Sequence, residues 1–280
     1  MLARVAVEDA AHGVFLYISA ALIAKRNLLA ALVLCLPAAQ APAQEADGQR
    51  GLGGGLAVVP RYPGSDRHET RFFPVISFTF GRLFVGGDPG GGDGGGVGMR
   101  LFGDKSWTLG AALSVDFGKA REESDDPRLQ GLGDIDGTVR ATLFAVYRYR
   151  WLAVRAGVSP DIGGENQGTL ARLDFLARYA ATERLTFSAG PGLTWASGQY
   201  ARTFFAIDAE QSARSGLPQY EAGRGVNNVR VSIGATQAIS RSWTAGARAA
   251  RAKLVGDAAD SPVTADRWQD AFAVFFHYRF

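Results

Sequence analysis

The feature that most constrains this sequence is a two-residue alternation of apolar with small or polar side chains, repeated from Gly51 onward in segments of roughly ten residues. One face of the segment 107–117 carries Trp107, Leu109, Ala111, Leu113, Val115 and Phe117, and the other carries Thr108, Gly110, Ala112, Ser114 and Asp116. Comparable segments begin at Val139, Leu185, Val229 and Phe272. Because successive side chains of a strand point to opposite faces, the pattern predicts strands with one apolar face and one small or polar face.

A water-soluble β-sandwich also alternates in this way, so the residue types of the polar phase decide between environments. That phase is mostly Gly, Ala, Ser and Thr with scattered Arg, whereas a face in water would carry Lys, Glu and Thr. Small residues suit the confined interior of a closed barrel. No apolar run long enough for a spanning helix follows Gly51. We therefore predict an all-β transmembrane antiparallel β-barrel.

The connections between the predicted strands alternate in length. The short turns are 81–82, 103–106, 149–150, 182–184 and 240–241, and the long polar connections are 64–70, 88–95, 119–134, 159–167, 197–224 and 256–267. Bacterial outer-membrane barrels have short periplasmic turns and long outer loops. The alternation predicts about twelve strands with that orientation.

One long connection carries the signals of a short helix. Asp208 is a suitable N-cap, Gln211 completes a capping box, and Gly216 stops the helix before Pro218. We predict one short helix, from Asp208 to Ser215, in a long outer loop. It could plug the mouth, contact a partner or serve only to pack the loop.

The N-terminus has the features of an export signal. Lys25 and Arg26 precede the apolar stretch 28–36, and Ala41-Pro42-Ala43 follows it. We predict that residues 1–43 are an N-terminal extension and cleaved signal peptide, and that residues 44–280 form a barrel in the cell outer membrane. The one cysteine, Cys35, lies inside this signal, so the mature chain would have no disulfide, thiolate metal site or Cys nucleophile.

Aromatic residues mark the predicted membrane boundary. Trp107, Trp151 and Trp243 each stand beside a short turn, where an amphipathic ring would meet the lipid headgroups. The chain ends on Phe280, in phase with Tyr278 and Phe276, as in the last strand of proteins inserted by the outer-membrane assembly machinery. Outer-membrane lipid is therefore a predicted partner.

Charged residues in the polar phase are predicted to face the lumen. They are Asp116, Arg140, Arg148, Arg155, Arg172, Asp174, Arg178, Arg230 and Arg248, together with His277. Their excess of Arg would favour anions if water fills the barrel. Alternatively, Asp174 and neighbouring arginines form a packed ion network that blocks passage.

We find no motif that carries catalysis. His68, beside Asp66 and Glu69, is better explained by a solvated loop, and His277 by a hydrogen bond inside the barrel. The acidic loops 122–126 and 257–260 lack EF-hand spacing. The net charge of +3 is spread along the chain, which argues against nucleic-acid binding. We predict no enzyme activity, cofactor or metal site.

Five segments carry a resemblance to a known family: 62–66 (YPGSD), 131–134 (GLGD), 190–195 (GPGLTW), 200–220 (YARTFFAIDAEQSARSGLPQY) and 254–262 (LVGDAADSP). They resemble the MipA/OmpV family (MltA-interacting protein) of outer-membrane proteins. The resemblance implies a barrel of about twelve strands. For some members it implies a scaffold that joins a lytic transglycosylase to a peptidoglycan synthase, and other members are described as porin-like proteins or adhesins. The family supplies no catalytic residues to transfer.

Our leading hypothesis for function is an envelope scaffold linked to peptidoglycan remodelling. The alternatives are a narrow, weakly anion-preferring channel and a surface adhesin.

Overall fold

A computed structural model describes residues 50–87, 95–116 and 118–280, and within them the chain forms a closed antiparallel β-barrel. The strands are β1 (Arg50–Pro60), β2 (His68–Phe80), β3 (Leu83–Gly87), β4 (Gly95–Gly103), β5 (Trp107–Val115), β6 (Lys119–Arg121), β7 (Ile135–Asp136), β8 (Val139–Tyr149), β9 (Leu152–Pro160), β10 (Thr169–Ala180), β11 (Leu185–Ala196), β12 (Gly225–Ala238), β13 (Trp243–Leu254) and β14 (Trp268–Arg279). The predicted signal peptide and its cleavage site lie outside the described residues.

Twelve of these described strands make the barrel, and β6 and β7 pair separately in one of the long connections. Each barrel strand pairs with the next one along the chain, with β5 paired directly to β8. The ring closes where β1 pairs with β14, so that Gly51 lies opposite Arg279. A closed ring leaves no unpaired strand edge, which a sheet in hydrocarbon requires. The predicted barrel and its twelve strands are confirmed.

The outer wall of the barrel is apolar. Phe80 is 80% exposed, Leu143 is 64% exposed and Ile233 is 59% exposed, and large apolar residues in the same phase surround the barrel. The alternate residues, such as Thr142 and Val146, are buried. Monomeric proteins in water rarely expose an apolar surface of this extent. The outer wall is therefore a surface for lipid.

The interior is less uniformly polar than the sequence pattern implied. Phe84, Ala112, Phe144 and Val146 form a buried apolar cluster on the inner face, although Phe144 and Val146 fall in the phase expected to be polar. Glycines of adjoining strands make room for these rings: a Cβ added at Gly110 would lie 2.4 Å from Cζ of Phe144. The small residues of the inner face thus accommodate aromatic rings.

The long connections contain more helix than predicted. The helices of the described residues are α1 (Gly198–Phe205), α2 (Ala209–Ser215) and α3 (Asp257–Asp260), with 3-10 turns at Glu123–Asp125 and Pro127–Leu129. The prediction of α2 is confirmed, including the Asp208 N-cap, the Gln211 capping box and Gly216 at φ +75°. The prediction of a single helix was wrong, because short helices such as α1 depend on packing more than on local signals. Within the described residues, no helix has the length and apolar character needed to cross a membrane.

Candidate functional site

The long connections fold together at one end of the barrel into a structure that we call the loop cap. It comprises residues 61–67, 118–138, 161–168, 197–224 and 255–267. At the opposite end, the described connections are the short turns at 81–82, 104–106, 150–151, 181–184 and 239–242, which we call the short-turn rim. The two ends therefore differ in both size and internal structure.

Helix α1 lies at the barrel mouth, inside the loop cap. Ser197 begins it, with its hydroxyl accepting a hydrogen bond from the Tyr200 N–H at 3.3 Å. Its buried residues Tyr200, Ala201, Phe204 and Phe205 pack with Leu170, Ala196 and Leu254, which are the inward-facing residues at the ends of β10, β11 and β13. The two buried residues of α3, Ala258 and Ala259, join the same cluster. The helix is thus held across part of the mouth by an apolar core.

A second apolar cluster joins loops that are far apart in sequence. It consists of Tyr62, Leu129, Leu132, Ile207 and Val263, which come from four of the long connections. Leu129 and Val263 have no exposed surface. The sequence offered only isolated apolar residues in polar loops here, so this core was not predicted.

Hydrogen bonds between loops reinforce the two clusters. The buried Arg121 guanidinium donates to the carbonyl oxygens of Phe204 at 3.2 Å and Gly133 at 3.4 Å, and burial lowers its pKa. The Ser261 hydroxyl donates to the Phe205 carbonyl oxygen at 2.6 Å. The Gln211 side-chain amide donates to the Leu132 carbonyl oxygen at 2.8 Å. The loop cap is therefore a cross-linked unit.

Tyr62 shows how the first loop enters the loop cap. Burial, together with the neighbouring Asp126 carboxylate, raises the pKa of its phenol to about 12. The turn that follows is fixed by Gly64, whose N–H donates to the Gln269 side chain at 2.9 Å and whose carbonyl accepts from Ala265 N–H at 2.7 Å. Four of the five segments that carry the family resemblance, 62–66, 131–134, 200–220 and 254–262, meet in the loop cap in this way.

Several acidic residues of the loop cap take part in its internal hydrogen bonds and ion pairs. Glu123 accepts hydrogen bonds from the N–H groups of Gly131 and Gly133, at 3.1 and 2.7 Å. Asp126 accepts from Arg128, and Asp134 pairs with Lys119. Across the part of the chain that the structure describes, no group of three or more His, Cys, Asp or Glu side chains is arranged to hold a metal ion.

The barrel wall carries two ion pairs built from the predicted lumen residues. Arg230 donates to both carboxylate oxygens of Asp174, at 2.6 and 2.8 Å. Arg140 lies 3.6 Å from Asp116 and donates to the Gln167 side chain at 2.8 Å. These pairs are in the half of the barrel nearer the loop cap.

The remaining arginines lie on the same strand face. Arg155 and Arg172 are buried, and Arg148 donates to the Thr108 hydroxyl at 2.9 Å. The Arg248 guanidinium lies 5.9 Å from the centre of the Phe275 ring, within electrostatic range of Arg155 and Arg178. Among the described residues, no carboxylate forms an ion pair with Arg178 or Arg248. Whether any of these residues lines a water-filled passage stays a prediction.

The histidines have structural neighbours. The His277 ring is hydrogen-bonded to the Ser77 hydroxyl at 2.8 Å, near the short-turn end of the barrel. His68 is exposed, 3.2 Å from the carbonyl oxygen of Asp270. The absence of catalysis stays a prediction.

Aromatic side chains stand at the short-turn end on the outer face. Trp107 packs on Tyr147 with ring centres 4.8 Å apart, and Trp243 packs on Tyr278 at 5.0 Å. Phe280 stacks on Tyr278 at 6.2 Å. Trp151 is 61% exposed at the start of its strand. These contacts are compatible with the predicted headgroup-level positions, which stay a prediction.

The chain matches a known protein family over most of its length. The family described as MltA-interacting protein MipA matches residues 52–280, which is nearly all of the barrel. The chain belongs to the MipA family. Relatives named MltA-interacting protein, from Escherichia coli (strain K12) and Shigella flexneri, are each 26% identical over 260 residues, covering 91% of this chain and 99% of the relative.

Two solved outer-membrane channels are among the structures that the chain matches. One from Pseudomonas putida F1 has a TM-score of 0.44 and 11% identity, covering 85% of this chain and 97% of that one. The channel DcaP of Acinetobacter baumannii has a TM-score of 0.40 and 9% identity, covering 86% of this chain and all of that one. The closed barrel, its apolar outer wall and its membership of the MipA family together identify this chain as an outer-membrane β-barrel protein.

Proposed function

We propose that this protein is an envelope scaffold whose barrel is anchored in the outer membrane, with a lytic transglycosylase and a peptidoglycan synthase as partners. The observation that carries the proposal is the loop cap, in which Phe205, Leu129 and Val263 are completely buried. A freely open pore needs its loops clear of the mouth, whereas here α1 is bound to the inner ends of three strands.

The energetics of the loop cap favour a fixed structure. Burying a large apolar side chain contributes roughly 1.5–3 kcal/mol, and moving α1 out of the mouth would expose several such side chains together. Arg121 and Ser261 would also lose their bonds to α1 carbonyls. A barrel closed in this way is better suited to anchoring than to transport.

The partner is inferred from the names of the relatives. Both are called MltA-interacting protein, and family membership brings a lytic transglycosylase to this chain as the first partner to test. Short turns of bacterial barrels face the periplasm, where peptidoglycan lies. We therefore place the partner contact at the short-turn rim.

A photo-cross-linking residue at a single position tests this proposal in intact cells. Glu183 lies in the short-turn rim and Glu210 lies in the loop cap, and both are exposed. The expected result is a cross-link to a lytic transglycosylase from position 183 and none from position 210. No cross-link from any short turn, with the barrel folded, would contradict the scaffold.

The arginines of the barrel wall favour a second candidate, a narrow anion-preferring channel. Arg178 and Arg248 lack a carboxylate partner among the described residues. Planar-bilayer recording separates the candidates: stable single-channel steps with anion preference support the channel. If the wild type shows no conductance and single-channel steps occur only after residues 198–224 are removed, the result supports a capped scaffold.

A further inference from the structure

The short-turn rim is basic at every turn. Each of its five turns carries a cation at or next to its tip, and two more cations flank it at the ends of the first and last strands. These residues are Arg82, Lys105, Arg150, Arg184 and Arg241, with Arg50 and Arg279, and all are exposed. Among the described residues, the acidic side chains of the rim are Asp104 and Glu183. The rim therefore has a net positive charge.

The rim cations have no ionic partners among the described residues. No carboxylate within the described residues forms an ion pair with any of the seven. Near the loop cap, Arg67, Arg71, Lys119, Arg128, Arg251 and Arg267 are paired with Asp or Glu, whereas the exposed Arg202, Arg214 and Arg224 form no ion pair within the described residues. The rim cations are thus available to an external anion.

Two turns of the rim share one local structure. In Asp104-Lys105-Ser106-Trp107, the Asp104 carboxylate accepts hydrogen bonds from the N–H groups of Ser106 and Trp107, both at 2.7 Å. In Ser240-Arg241-Ser242-Trp243, the Ser240 hydroxyl accepts from the N–H groups of Ser242 and Trp243, at 3.2 and 3.0 Å. Each turn holds a cation at its tip and a Trp at the first strand residue.

A third turn has the same bonding without the Trp. The Thr182 hydroxyl accepts hydrogen bonds from the N–H groups of Arg184 and Leu185, at 3.2 and 3.0 Å. Side-chain bonds to the backbone fix a turn locally. Lys105, Arg184 and Arg241 therefore project from preformed turns.

The tryptophans set the depth of these cations in the membrane. Trp107 and Trp243 each pack on a tyrosine of the adjoining strand on the outer wall. Such aromatic pairs are typical of the headgroup level of a bilayer. A cation two residues before the Trp then lies beside lipid phosphates.

We propose that the short-turn rim binds the phosphate groups of anionic phospholipids. The proposal rests on the outer-membrane location and is independent of the scaffold role. Charge complementarity and the adjoining aromatic rings favour lipid over an acidic protein or polymer. A basic residue at an anionic bilayer surface contributes an attraction that corresponds to about a fivefold preference.

Tryptophan quenching by brominated lipids tests the proposal. In a Trp195→Phe, Trp268→Phe background, the three remaining tryptophans, Trp107, Trp151 and Trp243, all stand at the rim. The protein is reconstituted in phosphatidylcholine vesicles that contain either brominated phosphatidylglycerol or brominated phosphatidylcholine. We expect about a fivefold preference for phosphatidylglycerol, which weakens as salt is raised.

Matched variants locate the preference. Replacing Lys105, Arg184 and Arg241 by Gln should remove most of it. Replacing Arg202, Arg214 and Arg224, which are exposed arginines of the loop cap, by Gln changes the net charge equally and should leave it intact. Heat-modifiable migration on a gel verifies that each variant is folded.

Two results would overturn the proposal. One is equal quenching by the two lipids at low salt with the rim unaltered, a comparison that needs no variant. The other is an equal effect of the rim and loop-cap substitutions. The rim would instead be assigned to an acidic macromolecule if the protein shows no lipid preference, binds poly-glutamate in detergent, and loses that binding only in the rim variant. Since the vesicles contain no partner protein, failure of the scaffold leaves this test unaffected.

Discussion

At the scale of single residues, inner-face glycines and aromatic rings are paired across strands. Gly110 lies beneath Phe144, and a Cβ on Gly246 would lie 2.3 Å from Cζ of Phe275. The sequence predicted that small residues would occupy this face. It did not predict that their function is to receive rings from neighbouring strands, because that depends on register.

We expect Gly110→Ala to destabilise the barrel. The added methyl group would lie 2.4 Å from Cζ of Phe144 and 2.6 Å from the Met99 carbonyl oxygen. Overpacking of this kind costs about 1–3 kcal/mol. The urea midpoint of unfolding in micelles, followed by tryptophan fluorescence, should therefore fall. Gly103→Ala is the control, since its methyl group would lie 3.9 Å from the Trp107 carbonyl oxygen; equal midpoints for the two variants would refute the packing argument.

Asp161 makes one segment of the loop cap sensitive to acid. Partial burial opposes its ionisation, but hydrogen bonds from the Thr138 hydroxyl and the N–H groups of Gln167 and Gly163 outweigh this and lower its pKa. A carboxylate with a lowered folded-state pKa stabilises the fold above the ordinary Asp value of about 3.9. That stability is lost as the pH falls from this value toward the folded-state pKa.

Hydrogen exchange of residues 161–168, corrected for the intrinsic rate, checks this expectation. Protection should be greater at pH 6 than at pH 3, and Asp161→Asn should show reduced protection at pH 6. Glu165→Gln, an exposed change in the same loop, is the control. Protection that is independent of pH, or an Asn variant as well protected as the wild type, would be inconsistent with the role given to Asp161.

At the scale of elements, local signals and long-range packing determined different parts of the fold. The strands were predictable because alternation and turn length are local, and α2 because Asp208, Gln211 and Gly216 specify its ends. Helix α1 and the loop cap were not predictable. Their apolar residues, such as Leu129 and Val263, are isolated in sequence and meet only through tertiary contacts.

We expect Phe205→Ala to loosen the loop cap while leaving the barrel closed. Removing a fully buried Phe ring costs about 3–5 kcal/mol, which local opening of the cap can relieve without separating strands. Trypsin should then cleave within residues 198–224, while heat-modifiable migration persists. Glu210→Ala, at an exposed position of α2, should resist trypsin like the wild type. Resistance of Phe205→Ala equal to that of the control would show that the cap does not depend on this core.

At the scale of the whole molecule, the two ends of the barrel differ in structure and in charge. One end carries a packed loop cap in which Arg67, Lys119, Arg128 and Arg267 are paired with carboxylates, and the other exposes cations on short turns that form no ion pair within the described residues. Between them, the apolar outer wall holds the barrel in the membrane. The architecture followed from the sequence because a period of two, applied to about twelve segments, admits few alternatives.

The fold in the membrane depends above all on which side of each strand meets lipid. Single nitroxide labels at 229, 231, 232, 233 and 234 along β12 test this directly in vesicles, by comparing collisions with oxygen and with a water-soluble nickel complex. Val229, Val231 and Ile233 are exposed on the outer wall, so labels there should collide mainly with oxygen. Labels at Ser232 and Gly234 should show low oxygen accessibility. The opposite pattern would contradict this orientation: labels at 232 and 234 would be accessible to nickel, and labels at 229, 231 and 233 would be shielded from both reagents. The apolar face would then be a dry core.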